Sequence, residues 1–167
     1  MKPTGTFLYF AYGSNLLTAR LKARCPSARK AGNAILPRFR LRWHKIGCDD
    51  TGKCDVVFTA NPGHAVHGVA WAIQRSEMPA LDFHEELDTG YYACGVPIVI
   101  GSRRRMARTY RAIPIDPELR PLDWYKRFVV DGAREHRLPE HYIARLALTP
   151  ALGDSDSKRR ARNLRVR

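Results

Sequence analysis

Two stretches of this 167-residue chain hold residue types able to do chemistry. The first is Tyr12-Gly13-Ser14-Asn15-Leu16, where the aromatic and apolar run Thr6–Tyr12 stops at a glycine and Leu16, Leu17, Arg20 and Leu21 continue at helical spacing. A glycine at a strand-to-helix junction lets backbone amides come close to a ligand. The helix that follows offers unsatisfied N–H groups and the positive end of its dipole, which suit an anion or a developing oxyanion. The Gly-x4-Gly-Lys-Ser/Thr pattern of a phosphate-binding loop is absent. Residue types alone still favour an ordinary capped helix, with Ser14 or Asn15 as the cap.

The second stretch is the acidic segment Leu81-Asp82-Phe83-His84-Glu85-Glu86-Leu87-Asp88. At ~100° per residue, Glu85 shares a stripe with Met78 and Leu81. A carboxylate aimed along an apolar stripe is partly desolvated, which raises its pKa and makes it a usable base near neutrality. Ala80, Phe83 and Leu87 form a rival stripe, so periodicity leaves open which face is buried. An exposed acidic helix is the equal alternative.

The elements that must position these groups follow from patterning. Thr6–Tyr12 reads as a buried strand. Residues 34–46 read as one edge strand, with Ile35, Pro37, Phe39, Leu41 and Trp43 on one side and Arg38, Arg40 and Arg42 on the other. Residues 56–60 and 67–73 are strands around the turn Asn61-Pro62-Gly63. A helix runs from a Ser76 cap to about Asp88, closed by Thr89-Gly90. Residues 91–100 and 106–113 form a hairpin turning at Gly101-Ser102, with Arg103, Arg104 and Arg105 on the second arm. Residues 122 to about 135 and 139 to about 148 are helical, and no internal repeat is present. Strands do not alternate with helices, so a doubly wound parallel sheet fits poorly. A mainly antiparallel or mixed sheet with helices around it fits better.

Composition sets the outer bounds. Hydrophobic residues make up 44% and charged residues 27%, ordinary globular chemistry. No apolar run reaches the ~18–20 residues needed to span a bilayer, and the N-terminus has no signal-peptide pattern, so a soluble cytoplasmic protein without membrane partners is expected. The net charge of +13 favours anionic partners. Lys158, Arg159, Arg160, Arg162, Arg165 and Arg167 cluster at the end, against Asp154 and Asp156. This gives a domain over 1–153 and a basic, disordered tail over 154–167. Nucleic acid is expected to bind at most nonspecifically through that tail, since no recognition module is present. His44, Cys48 and Cys54 match no common zinc spacing, so no metal is expected; with Cys25 and Cys94 the thiols read as free.

The chain resembles the γ-glutamylcyclotransferase family, in the AIG2-like superfamily. The resemblance rests on Leu8-Tyr9-Phe10-Ala11-Tyr12-Gly13-Ser14-Asn15-Leu16-Leu17, with Arg20 and Pro26-Ser27-Ala28. It continues through Gly68-Val69-Ala70-Trp71, Leu81-Asp82…Glu85, Gly90-Tyr91-Tyr92, Tyr125-Lys126 and Gly132-Ala133…Leu138-Pro139, and so covers most of residues 7–147. It implies an α+β fold: a mixed, largely antiparallel β-barrel-like sheet flanked by helices. It implies release of 5-oxoproline from a small γ-glutamyl substrate without a cofactor, with Glu85 as general acid/base. Tyr9, Phe10, Ala11, Tyr12, Gly13, Ser14, Asn15 and Leu16 match the substrate-holding segment. Tyr125 matches a substrate contact, and Tyr92 a tyrosine lining the pocket. The form Asn15-Leu16-Leu17 is closer to the branch acting on γ-glutamyl amino acids than to those acting on amines, glutathione or a pathway-specific acyl chain. Glu86 departs from the pattern, standing where a glycine is expected. Whether the protein forms a homodimer is left open.

Overall fold

The computed structural model describes residues 4–166; Met1, Lys2, Pro3 and Arg167, the outer ends of the domain and tail read from sequence, lie outside the described residues. Five strands close into a barrel: β1 (Thr6–Ala11), β2 (Arg29–Pro37), β5 (Ala65–Gln74), β6 (Tyr91–Ile100) and β7 (Arg103–Ala112), in the order β1-β5-β2-β6-β7. All pairings are antiparallel except β1 with β7, which meet in parallel at Tyr9 and Arg108 and close the ring. Helices α1 (Thr18–Arg24), α2 (Met78–His84), α3 (Asp123–Glu135) and α4 (Glu140–Ala147) lie around it. The α+β barrel expected from the resemblance is the fold observed. Among the described residues no helix is long and apolar enough to cross a membrane.

β1 and β5 are buried on both faces, with Phe10, Ala11, Val69, Ala70 and Ile73 fully buried, one face toward the barrel interior and the other under the surrounding elements. Gly68 lies where a Cβ would stand 2.3 Å from the Ala11 carbonyl oxygen, so β5 can cross the end of β1 only without a side chain there.

Residues 34–46 are not one strand. β2 ends at Pro37, Arg38 turns at φ +66°, and β3 (Phe39–Ile46) leaves the barrel to pair with β4 (Gly52–Phe58) as a separate two-stranded sheet. The break is fixed from outside: the Arg38 amide donates to His64 O at 2.7 Å and its carbonyl accepts from Thr59 N at 2.8 Å. Alternating patterning runs straight through the corner and so conceals it. Asp55, buried, anchors the small sheet to β7 by accepting from Ala112 N at 2.9 Å, and it also meets His44 Nε2 at 2.9 Å.

The basic tail is also corrected. Residues Ser157–Leu164 form a helix, α5, whose Asp156 cap accepts from Arg159 N at 2.9 Å. Arg159 grips Asp154 with two hydrogen bonds of 2.6 Å, Asp154 accepts from Trp124 Nε1 at 2.8 Å, and Arg160 pairs with Asp123. Arg127 of α3 donates to the carbonyls of Leu164 and Val166, closing the far end of α5. Acids elsewhere in the chain hold what charge density alone would leave unfolded.

The Arg159 hydrogen bonds hold the Asp154 carboxyl well below the usual carboxylate range. A depressed folded-state pKa gives stability that is complete above the unfolded value of about 4 and is lost as pH falls toward the folded value. Trp124 fluorescence is therefore expected to report α5 loosening below about pH 4. Asp154→Asn should show the loosened signal already at neutral pH; superimposable acid titrations of the two proteins would rule this out.

Candidate active site

After β1 the chain makes a single 3-10 turn, Ser14–Leu16, before entering α1. Ser14 and Asn15 line a small cavity, and their backbone N–H groups meet no acceptor among the described residues. The loop is pinned from behind by α3. Gly132 is so close to it that a Cβ would stand 2.4 Å from Leu17 N. His136 Nε2 lies 3.0 Å from Leu16 O, and Glu135 accepts from Thr18 N at 3.1 Å, satisfying the start of α1. Neither Ser14 nor Asn15 makes a side-chain cap, so the capping alternative does not hold.

α2 ends at His84, one turn short of the expected Asp88. Its residues separate by role. Leu81 is fully buried, and Asp82 accepts from Tyr110 Oη and from Arg108 Nη2 at 2.7 Å, fastening α2 to β7. Glu85, four residues past Leu81 and on the same side, turns its carboxylate into the cavity with 13% of the side chain exposed. It does not sit in apolar surroundings, as the stripe argument anticipates. Oε1 accepts from Asn15 Nδ2 at 2.9 Å and from Arg24 Nη1 at 3.1 Å. Oε2 has no partner among the described residues. The Asn15 amide also donates to Tyr9 Oη at 2.9 Å and accepts from Arg24 at 3.0 Å. Strand, loop, α1 and the glutamate thus share one network.

The remaining walls are phenols and a thiol: Tyr9, Tyr12, Tyr91, Tyr110, Tyr125 and Cys54. Burial, with the Glu85 charge as a lesser cause, pushes Tyr9, Tyr12, Tyr91 and Tyr125 well above the ordinary phenol value. They remain neutral donors and acceptors. Burial likewise raises the Cys54 thiol, which is an inert wall rather than a nucleophile. Tyr125 Oη accepts from Cys54 N at 3.0 Å and Tyr91 Oη donates to Cys54 O at 2.8 Å, so β4 supplies one side of the cavity.

Of the residues expected from sequence, Tyr9, Tyr12, Gly13, Ser14, Asn15, Glu85 and Tyr125 come together here. Phe10, Ala11 and Leu16 do not; they are fully buried in the core behind the loop. Tyr92 is also displaced. It is 37% exposed on the outer face of β6, under the Arg111 guanidinium, and its neighbour Tyr91 takes the inward place. Strand period decides this, since adjacent residues face opposite ways. Tyr91, Tyr110, Cys54 and Arg24 were not picked out from sequence. The pair Tyr91-Tyr92 held the signal for one of them, but only the register of β6 tells which tyrosine points in.

The profile of the AIG2-like family matches residues 65–146. A γ-glutamylcyclotransferase of Mus musculus is 34% identical, over 84% of this chain and 77% of its own, and one of Homo sapiens is 31% identical with the same coverage. The chain belongs to the γ-glutamylcyclotransferase family. A solved γ-glutamyl cyclotransferase superposes with a TM-score of 0.84 at 28% identity, covering 95% of this chain and 98% of that one. Against that background, Glu86 is notable for its backbone. It adopts φ +51°, the left-handed region where the family pattern leads one to expect glycine. Its side chain compensates by meeting Lys45 Nζ at 2.6 Å, and that lysine is 3% exposed.

Glu86→Ala keeps the strained backbone and strands Lys45. Because the Glu86 side chain is 44% exposed, solvent screens part of the pair. The expected loss is about 1–3 kcal/mol in urea denaturation. Glu86→Gly should lose about 1 kcal/mol less, because it relieves the left-handed strain. Wild-type stability in the alanine variant would show that the pair contributes nothing.

Proposed function

We propose that this chain releases 5-oxoproline and a free amino acid from γ-glutamyl amino acids, with Glu85 moving the proton. The observation that carries the reading is the Glu85 carboxylate itself. One oxygen is fixed by Asn15 and Arg24, and the other is open to a cavity lined by free loop amides.

A γ-glutamyl compound brings its own nucleophile. The α-amine nitrogen, once it has lost a proton to Glu85 Oε2, attacks the γ-carbonyl carbon and closes a five-membered ring. The tetrahedral oxyanion needs donors aimed at it, a role we assign to the Ser14 and Asn15 amides of the loop that lines the cavity. The γ C–N bond then breaks as Glu85 returns the proton to the departing nitrogen, and the ring nitrogen sheds the second proton it carries after bonding, which the released amine takes up as ammonium. No water is consumed and no redox change occurs, so one carboxylate suffices. Holding the flexible glutamyl chain in its ring-closing shape is an orientation effect worth several kcal/mol. The neutral tyrosines and Gly13, where an added Cβ would stand 3.0 Å from Cys54 Cβ, make the walls of the cavity tightly packed.

Glu85→Gln is expected to fold with an unchanged circular dichroism spectrum and to lose about 10²–10⁴-fold in 5-oxoproline release from γ-glutamyl-alanine. Activity within threefold of wild type would remove Glu85 from the proton-transfer role. Tyr125→Phe, which unpairs the Cys54 amide, should cost less in kcat/KM and about 1–2 kcal/mol in stability.

A further inference from the structure

Outside the small cavity, and sharing Ser14, Glu85, Tyr91 and Tyr125 with it, opens a second, larger cavity. A γ-glutamyl group seated at the loop with its scissile bond at Glu85 would send its leaving group into this vestibule. The vestibule is strongly cationic. Its acids are already used: Glu85 pairs with Arg24, Glu86 with Lys45, and Asp49 with Lys53. The Arg159 charge on its rim is taken up by Asp154. Two arginines there have no acidic partner among the described residues, Arg20 on α1 and Arg162 on α5.

Arg20 is half-buried, its Nε donating only to the Ser14 hydroxyl at 3.1 Å. Burial and the neighbouring Arg24 push its guanidinium down to about 10, with the Glu85 charge opposing them only in part. Arg162 is exposed and arrives because α5 is docked rather than loose. A half-buried guanidinium and an exposed one lining the same cavity can each bind a carboxylate.

We propose that this vestibule is a leaving-group subsite selecting γ-glutamyl donors whose leaving amino acid carries carboxylates, with acidic residues preferred, and that Arg162 of α5 is a specificity-determining residue in it. The proposal rests on the cyclotransferase reading above and deepens it by naming the substrate class.

The test keeps the γ-glutamyl half constant and varies the charge of the other. γ-Glutamyl-alaninamide, γ-glutamyl-alanine and γ-glutamyl-glutamate present none, one and two leaving-group carboxylates. kcat/KM for 5-oxoproline release should rise along that series, by about tenfold from first to last. Arg162→Glu should lower the glutamate donor's kcat/KM about tenfold more than the alaninamide donor's, through KM. Arg104→Glu, the same charge change on the remote β6–β7 hairpin, should leave the ratio between donors as in wild type. A flat series, or equal effects of the two reversals, would overturn the subsite in favour of general steering by net charge. Binding of the same three donors to Glu85→Gln protein is read by calorimetry. Absence of turnover on every donor would thus sink the cyclotransferase reading alone, while charge-graded binding that Arg162→Glu abolishes still decides the vestibule.

Discussion

The carboxamide of Asn15 is the point through which the site is assembled. It is 97% removed from solvent by the loop and barrel around it, at 3% exposure, so every one of its hydrogen-bonding atoms must be matched by protein. One nitrogen donates to both Tyr9 on β1 and Glu85 beyond α2, while the oxygen accepts a hydrogen bond from Arg24 on α1. Strand, helix and the sequence-distant glutamate are thereby fixed by a single planar group. A buried amide with its partners in place is rigid because any departure leaves a desolvated polar atom unpaired.

That network needs the loop to stand still, and α3 supplies the backstop. Gly132 lets the helix backbone come against Leu16 and Leu17, and Glu135 and His136 satisfy the polar atoms where the chain passes from the 3-10 turn into α1. On the other side, Asp82 binds α2 to β7, so the glutamate at the end of that short helix is held from below and by its own carboxylate. The same logic extends outward to α5. Its basic sequence is held as a helix by Asp123 of the body and by Asp154 just ahead of the helix. It then carries charge to the mouth of the site.

Much of this was legible from residue order. A buried aromatic strand, a glycine turn and leucines at helical spacing specify the first unit, and Leu81, Asp82 and Glu85 at spacings of one and four put a core anchor and a carboxylate on one side of a helix. The errors have physical causes. The family resemblance points to Tyr92, but a motif does not say which of two adjacent strand residues is inward, and the register of β6 turns Tyr91 in. Hydrophobic alternation is continuous across Arg38, so a corner between two sheets looked like one strand. A dense run of arginines signals disorder until the distant acids that neutralise it are known, although Asp156 ahead of helix-forming residues was a local cue to α5. Phe10, Ala11 and Leu16 share the loop motif because they are its foundation in the core, and a motif does not separate foundation from surface.

The sequence by itself determined the kinds of element, because these depend on local spacing, and its motifs marked the loop and Glu85 through their resemblance to a family rather than through spacing alone. Only the tertiary structure decided which atoms meet. Closing the barrel and seating α3 against the loop brought five tyrosines and Cys54 around Glu85, left one carboxylate oxygen free, and set two unpaired arginines at the entrance. Those outcomes depend on strand register and on contacts between residues far apart in the chain, which no short-range pattern encodes.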